Sequence, residues 1–230
     1  MTENADIKIN EFLTTDGTQD WRVVSDGAVA FYRTDSLDAS AAFVSRLPGI
    51  PGLGEHQFGI DIRAEGVTVR VVTLRDDYMG MTRRDAELAR EVAKVAGEMG
   101  LRSDPSAIQS VLVIPAAQNR AEVMPFWRAV MGYVPRPDSP DEDLIDPHDR
   151  NVALWVEEME EARPGNLGAI HLAVWLPYEE AQARVDAALA AGGRLVRDDF
   201  APAWWTIADA YGNEVDVATI KYRDEPPPES

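Results

Sequence analysis

The chain has 230 residues, with 40 acidic and 22 basic side chains and a formal charge of −18. Such a charge repels phosphate backbones, which argues against nucleic acid as a direct partner. No apolar run approaches the roughly 20 residues that span a bilayer, and the absence of cysteine excludes disulfides, thiolate catalysis and sulfur-ligated metal centres.

The start Met1-Thr2-Glu3-Asn4-Ala5-Asp6 has no basic and apolar leader pattern, so a reducing cytoplasm is the expected location, with no membrane partner. Trp21-Arg22-Val23-Val24 and Ala28-Val29-Ala30-Phe31-Tyr32-Arg33 flank Ser25-Asp26-Gly27 and predict a hairpin. A helix is expected from about Asp38 to Leu47. Gln57–Ile62 alternates, with Phe58, Ile60 and Ile62 on one face, and Glu65-Gly66 turns the chain into a second alternating run, Val67–Val71. Thr82 and Asp85 make a capping-box pattern ahead of Leu88, Val92, Val95 and Met99, and Gly100 ends that helix. This order predicts an antiparallel sheet covered by helices on one face.

Leu101–Ser106 is polar with a proline and reads as a linker, so domains are expected at 7–101 and 106–222. The tail 223–230, with three consecutive prolines, should be extended and disordered.

A short stretch occurs twice in the second domain. Ala107-Ile108-Gln109-Ser110-Val111-Leu112-Val113-Ile114-Pro115 returns as Ala169-Ile170-His171-Leu172-Ala173-Val174-Trp175-Leu176-Pro177. Each copy leads into a helical pattern, Val123, Phe126, Trp127, Val130 and Met131 in one and Ala181, Val185, Ala188 and Leu189 in the other. Later strands are expected near Tyr133–Arg136 and at Asn151–Glu157, then near Arg194–Val196, Trp204–Ala208 and Glu214–Ile220. The class is α+β, and the second domain reads as paired βαβββ modules forming a cleft. Trp155, Trp175, Trp204 and Trp205 lie on or beside these strands, and tryptophans in a cleft stack planar molecules. Trp204 and Trp205 must face opposite sides. The acidic stretch Pro140–Arg150 reads as a surface loop carrying His148.

The strand starts at Gln109 and His171, the segment Phe126-Trp127-Arg128-Ala129-Val130-Met131-Gly132-Tyr133 and the turn Asp209-Ala210-Tyr211-Gly212-Asn213-Glu214-Val215-Asp216 resemble the vicinal oxygen chelate superfamily of glyoxalases, extradiol dioxygenases and bleomycin-type resistance proteins. The turn carries Ala where that family has Pro and Asp216 where it has Glu. The resemblance implies a divalent site from Gln109, Glu157, His171 and Asp216. Such a donor set suits Zn²⁺, Ni²⁺, Mn²⁺, Fe²⁺ or Mg²⁺. Many relatives bind ligands with no metal.

Residues 7–101 resemble pterin-4a-carbinolamine dehydratases through Trp21, the hairpin and Gly80-Met81-Thr82-Arg83-Arg84-Asp85-Ala86-Glu87-Leu88-Ala89. That family's His-His-Pro sequence stands here as His56-Gln57-Phe58, and its Thr-His-Asp as Thr73-Leu74-Arg75. Dehydration needs groups that exchange protons near neutrality. Gln57 and Leu74 do not, so His56 is left, with Asp61 or Asp77 as possible helpers. Two function classes follow. One is an enzyme performing lyase, isomerase or oxygenase chemistry on an oxygenated or heteroaromatic metabolite, with catalytic candidates His56, Gln57, Glu157 and His171. The other is a non-catalytic binder that sequesters a planar drug-like or pterin-like molecule. A homo-oligomer is expected, the first domain serving as a dimerisation module.

Overall fold

The computed structural model describes residues 5–160, 169–208 and 214–222. The turn residues Asp209–Asn213, the tail 223–230 and the side chains of Phe126 and Val130, all named above, lie outside the described residues. The chain divides into two compact units, with the boundary between Ile108 and Gln109. No helix among the described residues is long and apolar enough to cross a membrane.

The first unit runs α1 (Ile9–Thr14), β1 (Arg22–Val24), β2 (Gly27–Arg33), α2 (Leu37–Arg46), β3 (Phe58–Arg63), β4 (Gly66–Val71), β5 (Thr73–Arg75), β6 (Tyr78–Gly80), α3 (Arg83–Glu98) and β7 (Arg102–Ser103). Its antiparallel sheet has the order β1-β2-β4-β3, while β5 and β6 form a separate ribbon. Period-two alternation puts Ala28, Ala30, Tyr32, Val67, Val69 and Val71 on one face, all fully buried. The helix α2 packs over that face, with Phe43 edge-on to Tyr32 at 5.3 Å. Trp21 donates its indole N–H to the Ala89 carbonyl at 2.9 Å, tying the sheet's start to α3. Gly66 opens β4 where any Cβ would meet the Phe31 ring at 2.3 Å, which is why the turn needs glycine.

The expected linker is instead part of this sheet. Arg102 and Ser103 pair with Arg33 and Tyr32 of β2, and Ser103 donates to Asp20 at 2.7 Å. Those backbone bonds, unreadable from a polar composition, move the boundary to Ile108.

The second unit runs β8 (Ser110–Ala117), α4 (Arg120–Met131), β9 (Val134–Pro135), β10 (Asp143–Ile145), β11 (Leu154–Trp155), β12 (Glu157–Glu158), β13 (Ala169–Trp175), α5 (Tyr178–Ala190), β14 (Arg194–Arg197), β15 (Trp204–Ala208) and β16 (Glu214–Ala218). One sheet contains them in the order β14-β15-β16-β13-β8-β11-β10-β9, with β12 also on β8. The two halves therefore mirror each other across an antiparallel β8–β13 seam. The helix α4 ends at Gly132, whose φ of +69° is a left-handed stop that glycine adopts without strain.

The strand β10 lies within the acidic stretch expected to be a loop. Asp146 holds the turn after it by accepting from the N–H groups of His148, Arg150 and Asn151 and from the Asn151 amide. Aspartate that satisfies its own turn hides a strand end behind an apparently solvated sequence.

The seam fixes the repeat. Val113 pairs with Leu172, and their other neighbours are Leu154 and Val215 respectively. Across the seam His171 lies opposite Ile114, five residues along from Gln109. Leu154 and Val156 pack with Val123, Met124 and Trp127 of α4. Val174, Val215, Val217, Trp205 and Ile207 pack with Ala181 and Val185 of α5. Both helices cover the same face.

Because the second unit has its own sheet and core clusters, a fragment of residues 109–221 is expected to be soluble and to melt in one cooperative transition. Circular dichroism against temperature checks this; an aggregating product without a transition counts against it.

Candidate functional site

The face of the second sheet opposite the helices is set by pleat parity. His171 pairs with Ile114, Ala173 with Leu112, and Trp175 with Ser110, so these six share that face. Asp216 lies beside Ala173 and Thr206 beside Asp216. Glu157 lies beside Ala116, the partner of Ala169. Three carboxylate- or imidazole-bearing side chains from three strands thus converge.

His171 stands between two acids. Its Nε2 is 3.6 Å from Asp216 Oδ2, and its Nδ1 is 3.9 Å from Glu157 Oε2. Asp216 is oriented by the Thr206 hydroxyl, which donates to Oδ1 at 2.6 Å. The side chain of His171 is 14% exposed and that of Glu157 42%, so Glu157 is the group a ligand reaches first. Contact with Asp216 raises the His171 pKa. Burial opposes this, but the fields of Asp216, Glu157 and Glu214 carry the net shift upward.

Gln109 does not join them. It precedes β8, and its side chain accepts from Arg184 at 3.3 Å. It is five residues from Ile114, the partner of His171, which is about 16 Å of extended chain and an odd number of steps. The odd count turns it to the other face. The expectation that Gln109 and His171 converge is therefore corrected: aligning the repeat on these two residues equates opposite faces of the sheet.

The tryptophans divide as parity requires. Trp205 is buried against α5, and Trp204 takes the opposite side, stacked on Phe200 with ring centroids 4.2 Å apart. Trp175 lies on the His171 face in the row of Ala218 and Trp204. Trp155 shares that face, and its indole donates to Glu142 at 3.2 Å.

In the first unit, His56 meets a carboxylate that the sequence reading assigned only to capping. His56 Nε2 is 2.5 Å from Asp85 Oδ1. Asp85 also accepts from Thr73 Oγ1 at 2.7 Å and from the Thr82 N–H and hydroxyl at 2.6 and 2.8 Å. Burial would raise the Asp85 pKa, yet the bonds from His56, Thr73 and Thr82 bring it below the usual value. The proposed helpers lie elsewhere: Asp61 pairs with Arg63 at 2.9 Å, and Asp77 sits in the β5–β6 turn. Gln57 uses its backbone carbonyl to accept from Val72, and Leu74 is exposed on β5.

Comparison with known proteins agrees with this fold for the second unit. Residues 112–218 match the glyoxalase-like domain family. They form a glyoxalase-like domain of the vicinal oxygen chelate superfamily. Two solved structures are similar to part of the chain. One is described as an NAD-dependent benzaldehyde dehydrogenase from Legionella pneumophila, at 16% identity and a TM-score of 0.36, covering 48% of this chain and 99% of that one. The other is a glyoxalase/bleomycin resistance protein/dioxygenase superfamily member from Vibrio splendidus 12B01, at 16% identity and a TM-score of 0.32, covering 49% and 99%. No curated protein matches the chain.

This superfamily often holds a divalent metal. A centre requires several donors about 2 Å from one point. Here the two ring nitrogens of His171 face carboxylates on opposite sides, and Gln109 points away. Among the described residues no group of three His, Asp or Glu is arranged to hold an ion. The residues do not fit the metal.

Asp85→Ala is expected to cost about 2–4 kcal/mol, because it removes a helix cap and strands the buried Thr73 and Thr82 donors. Urea unfolding measures this; a loss below about 1 kcal/mol would show the network to be dispensable. Since the folded pKa of Asp85 is depressed, its contribution is present above about pH 3.9, the unfolded value, and fades as pH falls through the folded one.

His171 behaves in the opposite sense. Its folded pKa is raised, so its stabilisation is full below about pH 6.5, the unfolded value, while its acidic neighbours stay ionised, and is lost as pH rises through the folded pKa. The melting temperature of the native protein minus that of His171→Gln should therefore be larger at mildly acidic than at alkaline pH. A pH-independent difference would contradict the assigned charge.

Proposed function

We propose that the glyoxalase-like domain is a small-molecule enzyme that moves protons on an oxygenated metabolite, as in lyase or isomerase chemistry. The observation that carries this reading is His171 held between Asp216 and Glu157 on the helix-free face. Asp216, itself fixed by Thr206, holds the imidazole and favours its protonated form. At 3.9 Å the Nδ1–H is too far from Glu157 to be hydrogen-bonded to it. It can donate instead to a substrate carbonyl oxygen placed beside it. Glu157 then takes the proton from the carbon next to that carbonyl. The C–H electron pair becomes the C=C bond of the enol, and the carbonyl electrons move to the oxygen, which Nδ1–H stabilises or protonates. Every group in this sequence is a side chain of the chain itself.

Trp155, Trp175 and Trp204, on the same face, support a second reading, a binder that stacks a planar molecule there. For the first unit, the degenerate dehydratase reading stands as a proposal: His56 keeps a carboxylate partner, but Gln57 and Leu74 supply no proton exchange, so pterin carbinolamine turnover near background is anticipated.

Proton exchange separates the two readings. In deuterated buffer the native protein should catalyse exchange at the carbon next to the carbonyl of hydroxyacetone or a related α-hydroxyketone, followed by proton NMR. Glu157→Gln should abolish exchange, and His171→Gln should slow it by about 10²–10³-fold. Exchange that survives Glu157→Gln would overturn the enzyme reading. Quenching of tryptophan fluorescence by planar aromatics without any exchange would favour the binder.

A further inference from the structure

The second unit has an open cavity of about 560 Å³ between α4, β9 and β10. That volume lies within the roughly 300–1,000 Å³ of small-molecule sites. Leu144 and Met124 in its wall belong to the cluster under α4, so the sheet separates the cavity from His171.

The wall is largely aliphatic. Pro125 of α4, Pro135 of β9 and Pro140 of the loop before β10 line it together with Met124 and Leu144. Proline and leucine present C–H surface of fixed shape, and methionine adapts to an irregular guest. Tyr133 is the single aromatic ring among the described lining residues, and its hydroxyl is engaged, donating to the Val152 carbonyl at 2.8 Å. One ring gives no second plane to sandwich a flat molecule. The apolar surface continues outside, since Val134, next to Pro135 in the chain, is 38% exposed.

Arg128, in the last turn of α4, is the one charged side chain among the described lining residues. It is exposed, and among the described residues it forms no ion pair. The neighbouring cations do, Arg136 with Asp138 at 2.6 Å and Arg120 with Glu142 at 3.1 Å. Of the remaining acids beside Pro140, Asp143 accepts from Ser139, and Asp141 is exposed and outside the lining. In a chain with 40 acidic and 22 basic side chains, an arginine left without a carboxylate beside an apolar cavity is half of an ion pair.

We propose that this cavity binds a free medium-chain fatty acid as its anion. The carboxylate takes the Arg128 guanidinium, whose parallel N–H groups match its two oxygens. The alkyl chain leaves water for the surface of the three prolines, Met124 and Leu144. Recognition is by charge as well as by fit: an alcohol leaves the guanidinium unpaired, and an ammonium is repelled by it. An acyl chain esterified in a lipid has no carboxylate to offer.

Full-length protein labelled with ¹³C in its methionine methyls is titrated with decanoate, decanol and decylammonium. The Met124 methyl signal, assigned by its loss in Met124→Leu, should shift saturably with decanoate. Decanoate should bind at least about tenfold more tightly than decanol, the worth of charge-assisted hydrogen bonds. Arg128→Gln should weaken decanoate by about 10–100-fold, leaving decanol binding and far-ultraviolet circular dichroism unchanged. Raising the salt concentration should weaken decanoate alone. Decanol binding as tightly as decanoate overturns the proposal, a comparison that needs no variant. So does a decanoate titration that leaves Met124 unmoved, whether or not it perturbs the His171 ring. Unchanged decanoate affinity in folded Arg128→Gln overturns it as well.

Discussion

The second unit depends on one ladder of hydrogen bonds, the antiparallel seam between β8 and β13. That seam joins the two modules into a single sheet, and its pairing of Val113 with Leu172 decides which side chains share a face. Everything at the candidate site follows from it. With this register, His171 has Ile114 and Ala173 around it, Asp216 and Glu157 within 4 Å, and both helices behind the sheet. Side-chain period two leaves no intermediate arrangement. A pairing shifted by one residue would put the imidazole under α5 and the valines in its place.

The charge of the site is a second consequence of the same geometry. Parallel pairing of β13 with β16 brings Glu214 and Asp216 alongside the strand that carries His171, and the return of β12 on β8 brings Glu157 from the other module. An imidazole with acids on both sides is pulled toward its cationic form, against the opposing effect of burial. The fold thus sets one imidazole between two carboxylates on the helix-free face of the sheet.

Much of the architecture was legible in the sequence because it rests on local signals. The hairpin around Ser25-Asp26, the Thr82–Asp85 cap and the alternating runs of β3 and β4 are written in turn chemistry and periodicity. Three of the four residues assigned to the second site, Glu157, His171 and Asp216, do come together. Gln109 does not, because two apolar strands with similar residues can be aligned at several offsets, and only cross-strand pairing tells them apart. The strand β10 was hidden for a related reason: Asp143 and Asp146 look solvated in sequence, but Asp143 accepts from the Ser139 hydroxyl before the strand and Asp146 from the turn after it. The partnership of His56 with Asp85 spans 29 positions and carries no local pattern at all. What could have pointed to it is that Asp85 sits at the start of an amphipathic helix and must be buried.

Asp85 holds the Thr82 N–H and hydroxyl, the Thr73 hydroxyl and the ring of His56 with one carboxylate. The beginning of a long helix, the first residue of the β5–β6 ribbon and a histidine are thereby served by the same two oxygens. Drift at these positions is consequently unequal. His56 can change and leave the helix start intact, whereas any change at Asp85 alters the helix and the histidine together. Selection on stability alone would therefore preserve the aspartate long after any chemistry at the histidine had been lost, so its retention in a lineage is evidence about folding before it is evidence about catalysis.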